Sequence, residues 1–336
     1  MIGGDGIGPE VIEAAIPVIE RAAAQHGVTL AWERLPYSAN HYLKTGETLP
    51  DAAFQHLRDD VDAIFLGAMG DPRVPGNEHA RDILLGLRFR LDLYVNFRPV
   101  HLLHPDLTPL RGDRAIDFVI FRENTEGLYR AERSRVQGDE HVAEDLHTVR
   151  GVERIIRAAF EWAAAHGKSL VTMSDKSNAV PAHRVWQEQF KQISAQFSGI
   201  AAEHRFIDTL ALELVREPER FQVIVTSNLF GDILSDLGAG LVGGLGIAAS
   251  ANLHPGRPGL FEPVHGSAPA IAGKGVANPV AAVLSGALML EQLGYAEPAA
   301  ALQRAVVTAV AGTRTPDLGG RATTGDMAQA IYSALP

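Results

Sequence analysis

Residues 223–242 read VIVTSNLFGDILSDLGAGLV, and this stretch decides the fold. Val223-Ile-Val-Thr is a short unbroken apolar and β-branched run, suited to a strand buried on both faces. Behind it Asp232 and Asp236 stand four residues apart, which puts both carboxylates on one face of a helix. The same kind of run recurs at Ala63-Ile-Phe-Leu-Gly, Asp117-Phe-Val-Ile-Phe and Leu170-Val-Thr-Met, each ending in a polar or glycine cluster. Between Glu10 and His26 apolar residues fall at 11, 12, 15, 16, 18, 19, 22 and 23, a helical face entered through Pro9. Strands alternating with helices predict α/β architecture.

The chain has 336 residues, and at roughly 150 residues per domain this predicts about two domains. Lys+Arg 30 against Asp+Glu 40 leaves a net charge of −10, a field that repels phosphate backbones and anionic lipid. No nucleic-acid or membrane partner is expected, and an anionic ligand requires a local basic cluster. With Cys 0 there are no disulfides, thiolate metal sites or cysteine nucleophiles. The opening MIGGDGIGPE has no signal-peptide pattern, and the longest uncharged stretch, Leu237 to Leu253, is broken by glycines and polar residues. A cytoplasmic enzyme is the expectation. Residues 131–147 are charged and weakly periodic, with Gly138-Asp139 marking the turn of an exposed hairpin or arm, either solvated or an oligomer contact.

Four groups of residues carry chemistry. Arg88, Arg98 and Arg122 lie in GLRFRLDLY, NFRPV and FREN. Arg98 and Arg122 are expected at strand ends, where open α/β sheets bind ligands, and guanidinium forks match carboxylates. Three of them suit a polycarboxylate. Asp232, Asp236 and Asp208 of FIDTLALELV are hard oxygen donors, for which Mg²⁺ or Mn²⁺ is the natural ion. Lys176 follows the Leu170 run and Tyr129 closes RENTEGLY; a lysine near a divalent cation has its pKa lowered, which suits proton transfer. Finally EPVHGSAPAIAGKGVANP, 262–279, is a loop whose small residues let backbone N–H groups approach a pyrophosphate. There is no P-loop, HExxH or GxSxG. Gly4-Asp-Gly-Ile-Gly-Pro fails the dinucleotide spacing because Pro9 stands where the last glycine belongs, so an ordinary Rossmann domain is not supported.

Read together, GDGIGPEV, LRFRLDLYVNFRPV, RENTEGLY, SDKSN, NLFGDILSDL and EPVHGSAPAIAGKGVANP are similar, in order and nearly from end to end, to the β-decarboxylating dehydrogenases. That family comprises the 3-isopropylmalate, isocitrate, homoisocitrate and tartrate/D-malate dehydrogenases. The resemblance implies a two-domain isopropylmalate dehydrogenase-like α/β fold, with a large mixed sheet flanked by helices. It divides the chain into a discontinuous cofactor-binding domain, 1–93 plus 244–336, around a central dimerisation and metal/substrate domain, 94–243. It also implies a homodimer with shared active sites.

Carried over by motif, Arg88, Arg98 and Arg122 would hold the carboxylates of a small 2-hydroxy di- or tricarboxylate. Asp232 and Asp236, with Asp208 of the partner subunit, would bind Mg²⁺ or Mn²⁺. Lys176 of the partner subunit would help remove the hydroxyl proton as hydride passes to NAD, and Tyr129 would return a proton to carbon after CO₂ leaves. Glu262 and the loop residues His265, Gly266, Ser267, Ala268, Pro269, Ile271, Ala277 and Asn278 would hold the adenosine and pyrophosphate. Leu84 and Leu85 fall where isopropylmalate enzymes contact the isopropyl group, implying oxidation of 3-isopropylmalate to 2-oxoisocaproate, a step of leucine biosynthesis. Three features depart from that pattern. Arg81 stands where many isopropylmalate enzymes have Glu, RENTEGLY is closer to the homoisocitrate version, and Ala270 replaces the Asp that in NAD-using members meets the ribose. The Lys-Tyr pair of the NADP-using isocitrate enzymes is absent as well, Ala270-Ile271 occupying its place. Homoisocitrate, isocitrate and tartrate/D-malate remain as alternatives. A non-catalytic regulatory subunit is disfavoured because Lys176, Tyr129 and all the arginines and aspartates are intact.

Overall fold

A computed structural model describes residues 1–130 and 133–336. Ala131 and Glu132, the first two residues of the expected arm, lie outside the described residues. The chain divides into two compact units. One comprises Met1–Asp92, Leu103–Pro109 and Gly243–Pro336, the other Leu93–Leu102 and Leu110–Val242.

In the first unit strand Ala63–Phe65 pairs parallel with Gly259–Pro263, which pairs antiparallel with Ala249–Leu253. Helix Gly8–Gln25 forms where the apolar periodicity places it, with Pro9 in its first turn and Val11, Ile12, Ala15, Ile16, Ile19, Ala22 and Ala23 buried. Helix Val280–Gln292 is apolar on every side and almost wholly buried, as a central helix must be.

The N-terminal GDGIG forms a turn that the unit's own backbone fills. Gly4 (φ +77°) and Gly6 (φ +54°) leave no room for a side chain: a Cβ would stand 2.1 Å from the Ala68 carbonyl oxygen and 1.9 Å from that of Ser267. The amides of Asp5 and Ile7 donate to those same two oxygens at 2.7 and 2.8 Å. At the centre of this turn the buried Asp5 carboxylate accepts from the amides of Ala39 (2.7 Å) and Gly70 (2.8 Å) and pairs with His79 Nε2 (2.7 Å).

Five strands of the second unit, among the described residues, pair side by side. Val95–His101 pairs antiparallel with Asp117–Glu123, and the latter pairs parallel with Val223–Thr226. Val223–Thr226 pairs parallel with Leu170–Asp175, and that with Ala201–Phe206. Helix Val149–Ala165, capped by the Thr148 hydroxyl, buries Val152, Ile155, Ile156, Ala159, Phe160 and Ala163. The charged segment after Tyr129 does form an exposed hairpin, Ser134–Gln137 with Glu140–Ala143, turning on Gly138 at φ +63°.

Helix Asn228–Val242 lies across the first two of these strands, and two glycines seven residues apart on one face let it approach. A Cβ on Gly231 would fall 2.6 Å from Cβ and Cγ of Arg122, and one on Gly238 2.8 Å from the Val100 side chain. These are the stiff, proximal atoms of their side chains, so relief requires the helix to move. Gly231→Val is therefore expected to cost about 1–3 kcal/mol in urea unfolding, the range for overpacking. An unchanged midpoint would show that the helix does not depend on this contact.

Candidate active site

Arg122, at the C-terminal end of strand Asp117–Glu123, is 1% exposed. Its Nε and Nη2 donate to Asn228 Oδ1 at 3.0 and 2.7 Å, and its Nη1 donates to Asp232 Oδ1. The other Asp232 oxygen accepts from the Tyr129 hydroxyl at 2.8 Å. Arg98 Nη1 donates to Ser235 Oγ and stands 3.6 Å from Asp232 and 3.8 Å from Asp236. Five residues picked out by motif, Arg98, Arg122, Tyr129, Asp232 and Asp236, thus meet along one helix. Arg98 reaches it from the middle of its strand, Val95–His101, and not from the strand end expected.

The electrostatics separate the two aspartates. Burial acts to raise Asp232, but Arg122 and then Arg98 outweigh it and hold its carboxyl below the ordinary range. Asp236 is pushed up, first by burial and, against the pull of Arg98, by the charge of Asp232. Tyr129 is raised by burial and then by Asp232, which keeps its phenol protonated at neutral pH. Two partly open carboxylates on one helix face, one of them disfavoured by the other's charge, fit a hard divalent cation, whose charge relieves that repulsion.

Lys176 and Asp208 form a second pair, Nζ to Oδ1 2.6 Å, and this ion pair holds Asp208 below its usual value. Lys176 follows strand Leu170–Asp175 directly, and Asp208 occupies the first turn of helix Ile207–Arg216, where its charge suits the helix dipole.

The remaining candidates belong to the first unit. Arg88 is buried in the last turn of helix Glu78–Arg90 and donates to Glu262 Oε1 at 2.7 Å. That oxygen also accepts from Asn252 Nδ2 at 2.9 Å. Arg81, Leu84, Leu85 and Arg88 share one face of the helix, and both leucines are half-buried, leaving apolar surface for a ligand. In the 265–278 loop His265 is buried with its Nε2 unpartnered, while its Nδ1 faces the Gly266 carbonyl at 3.1 Å. Burial lowers the His265 pKa, so the ring is neutral at physiological pH and Nε2 is a free acceptor. A buried unpaired acceptor beside Gly266, Ser267, Ala268 and Pro269, with Ala268 at φ +39°, fits a bound nucleotide hydroxyl or amide. Ile271 and Gly273 continue the turn; Ala277 N lies 3.3 Å from Glu10, and Asn278 bonds Asp317 at 3.0 Å.

Three residues of this site were not singled out from the sequence. Asn228 lies four residues before Asp232, on its helical face, a spacing that did carry a signal. Ser235 receives Arg98. Glu123, fully buried and raised by that burial, accepts from Thr125 N (2.9 Å), Thr125 Oγ1 (2.7 Å) and Glu126 N (2.8 Å) and so shapes the loop that carries Tyr129.

A family model for isocitrate/isopropylmalate dehydrogenase matches residues 1–331. The chain is 44% identical over 315 residues to a 3-isopropylmalate dehydrogenase of Thermobifida fusca, covering 91% of this chain and 89% of that one. It is 40% identical to a probable tartrate dehydrogenase/decarboxylase of Bacillus subtilis, covering 99% and 96%. Isocitrate dehydrogenase from Methylococcus capsulatus has the same fold, with a TM-score of 0.90 at 38% identity over 99% of this chain and 98% of that one. The chain belongs to the isocitrate/isopropylmalate dehydrogenase family and is an oxidatively decarboxylating dehydrogenase. The mixed α/β fold expected from its motifs is borne out.

The Arg88–Glu262 pair is buried on both sides, with side chains 6% and 9% exposed. Glu262→Leu strands a buried guanidinium and is expected to lower stability by about 3–5 kcal/mol. The double variant Arg88→Met/Glu262→Leu is expected to regain part of that loss, and strict additivity in chemical denaturation would show the pair to be uncoupled.

Proposed function

We propose that the protein oxidises 3-isopropylmalate with NAD and releases CO₂, giving 2-oxoisocaproate for leucine biosynthesis. The observation that carries this reading is the pair of half-buried leucines, Leu84 and Leu85, beside Arg88 on one helix face. The 44% identity to 3-isopropylmalate dehydrogenase supports it. An isopropyl group against two leucines gains roughly 1.5–3 kcal/mol of apolar contact.

Arg88, Arg98 and Arg122 bind the two carboxylates of the substrate. Asp232 and Asp236, with Asp208 of the partner subunit, hold Mg²⁺ or Mn²⁺, and Glu262 with the His265–Asn278 loop holds the nucleotide. When bound, NAD accepts the hydride and the divalent cation supplies Lewis-acid stabilisation of the charge that develops at oxygen. Lys176 of the partner subunit takes the hydroxyl proton, and the protonated phenol of Tyr129 delivers a proton to carbon after CO₂ is lost. Residues 1–93 and 244–336 are assigned to the cofactor domain and 94–243 to the domain for metal, substrate and dimerisation, although Leu103–Pro109 cluster with the first unit. Leu212 and Val215 on helix Ile207–Arg216, and Ile233 on the helix packed against it, are 56%, 41% and 57% exposed. Such apolar exposure on two neighbouring helices supports a homodimer with shared sites. The arm expected over 131–147, of which 133–147 are described, would add to that contact. No helix among the described residues is long and apolar enough to cross a membrane.

Initial rates with isopropylmalate, isocitrate, homoisocitrate, D-malate and tartrate, each with NAD and NADP, test the assignment. Isopropylmalate with NAD is expected to give the highest kcat/KM, and a tenfold preference for another acid overturns it. Removing divalent metal with a chelator is expected to abolish turnover, with Mg²⁺ or Mn²⁺ restoring it. Lys176→Ala is expected to lose oxidation, whereas Tyr129→Phe slows chiefly the protonation that follows decarboxylation. Full turnover in either variant removes that residue from the scheme.

A further inference from the structure

Next to the Lys176 loop lies a group of side chains that no step above uses: Asp145, His147 and His183. The ligand atoms of all three lie within 4.8 Å of one another, and the side chains of His183 and His147 are 1% and 3% exposed. Two histidines and a carboxylate are the donor set of a zinc centre. The hydrogen bonds on the far side of each ring argue against that use. His183 Nδ1 accepts the backbone N–H of Lys176 at 3.1 Å, and His147 Nδ1 accepts the indole N–H of Trp186 at 3.3 Å. Amide and indole nitrogens can only donate, so both Nδ1 atoms carry lone pairs. In the neutral rings the protons then sit on Nε2, the atoms that face Asp145. His183 Nε2 is 2.9 Å from Oδ2, and His147 Nε2, less well aligned, is 3.1 Å from Oδ1. A metal ligand needs the opposite tautomer. Burial acts to raise Asp145, but the two histidines hold its carboxyl well below the ordinary range, consistent with an anion clamped by two N–H groups.

We propose that His183, oriented by Asp145, is the positioning residue for Lys176. The inference rests on Lys176 as the proton acceptor of the reaction proposed above. The rest of the loop is fixed in the same manner. Asp175, 1% exposed, accepts from Ser177 N and Oγ at 3.1 and 3.0 Å and from His204 Nε2 at 3.0 Å. The Lys176 carbonyl accepts from the amides of Ala179 and Val180 at 3.0 and 2.8 Å. What remains is the Lys176 amide, and His183 takes it. A lysine has four side-chain torsions, so where Nζ can reach is set by how firmly its backbone is held. The chain Asp145–His183–Lys176 N fixes that backbone from a part-exposed carboxylate held between two buried rings.

The test uses the full-length enzyme and the best substrate of the panel. Gln reproduces both functions of the His183 ring, with Oε1 as acceptor and Nε2–H as donor; Leu reproduces neither. His183→Leu is expected to lower kcat about 10²-fold with substrate KM little changed, and His183→Gln to recover most of that loss. Asp145→Asn can satisfy only one of the two rings and is expected to fall between them. Nitrogen-15 spectra of the imidazoles should show His183 as the Nε2–H tautomer, a readout independent of turnover that also remains if the Leu variant fails to fold. An Nδ1–H tautomer, a Gln variant as slow as the Leu variant, or Zn²⁺ alone binding to these rings overturns the proposal. So does full kcat in His183→Leu while Lys176→Ala is inactive. Full turnover in Lys176→Ala is a different failure, that of the proton-acceptor reading itself.

Discussion

The guanidinium of Arg122 is buried, and a buried charge is stable only where its donors are met. Asn228 and Asp232 meet them, and both stand in the first two turns of one helix. That requirement fixes where the helix lies. It must cross directly above the strand that carries Arg122, closer than any Cβ at position 231 allows. With the helix seated there, Asp232 turns its second oxygen to Tyr129 and Ser235 comes within reach of Arg98. The spacing of the candidate acid, the carboxylate pair and two substrate cations thus follows from burying one positive charge.

Tyr129 is held from its other side by a second network, joined to the first where Asn228 Nδ2 donates to the Glu126 carbonyl at 3.1 Å. Glu123 ties down the turn Asn124–Glu126. Glu126 in turn accepts from the amide and hydroxyl of Thr148, at 2.8 Å from the amide, where helix Val149–Ala165 begins. Gly151 leaves space for that carboxylate: a Cβ there would lie 2.4 Å from it. Just before Thr148, Asp145 and His147 fold inward toward His183. The loop that supplies the phenol and the loop that supplies the lysine are therefore braced by adjoining segments of chain.

Much of this was legible in the residues. The four apolar runs are strands, the Glu10–His26 periodicity is a helix, and Gly138-Asp139 turns a hairpin. Strands Ala201–Phe206 and Ala249–Leu253 were not read, since AAEHRF is largely polar and ASANL is built from small residues, so neither has the periodicity of a half-buried strand. Arg98 was expected at a strand end because Pro99 reads as a breaker, yet Pro99 pairs opposite Val119 within the ladder. In the site, i,i+4 spacing brought out Asp232 and Asp236 because a helix repeats locally. Asp145 and His183 have no such signature. Their contact joins distant segments, and the charge around Asp145 suggested solvent or an oligomer contact, although at the end of that stretch the His147 side chain turns inward and is 3% exposed.

Asp5 extends the same principle to the first unit. One buried carboxylate accepts from the amides of Ala39 and Gly70 and from the ring of His79, three points far apart in the chain. A fluctuation that frees one of those amides strips a hydrogen bond from a carboxylate that has no water to replace it. The segments around residues 5, 39, 70 and 79 therefore open as one cooperative body and not singly, so the Ala39 and Gly70 amides report a shared opening free energy in native-state hydrogen exchange.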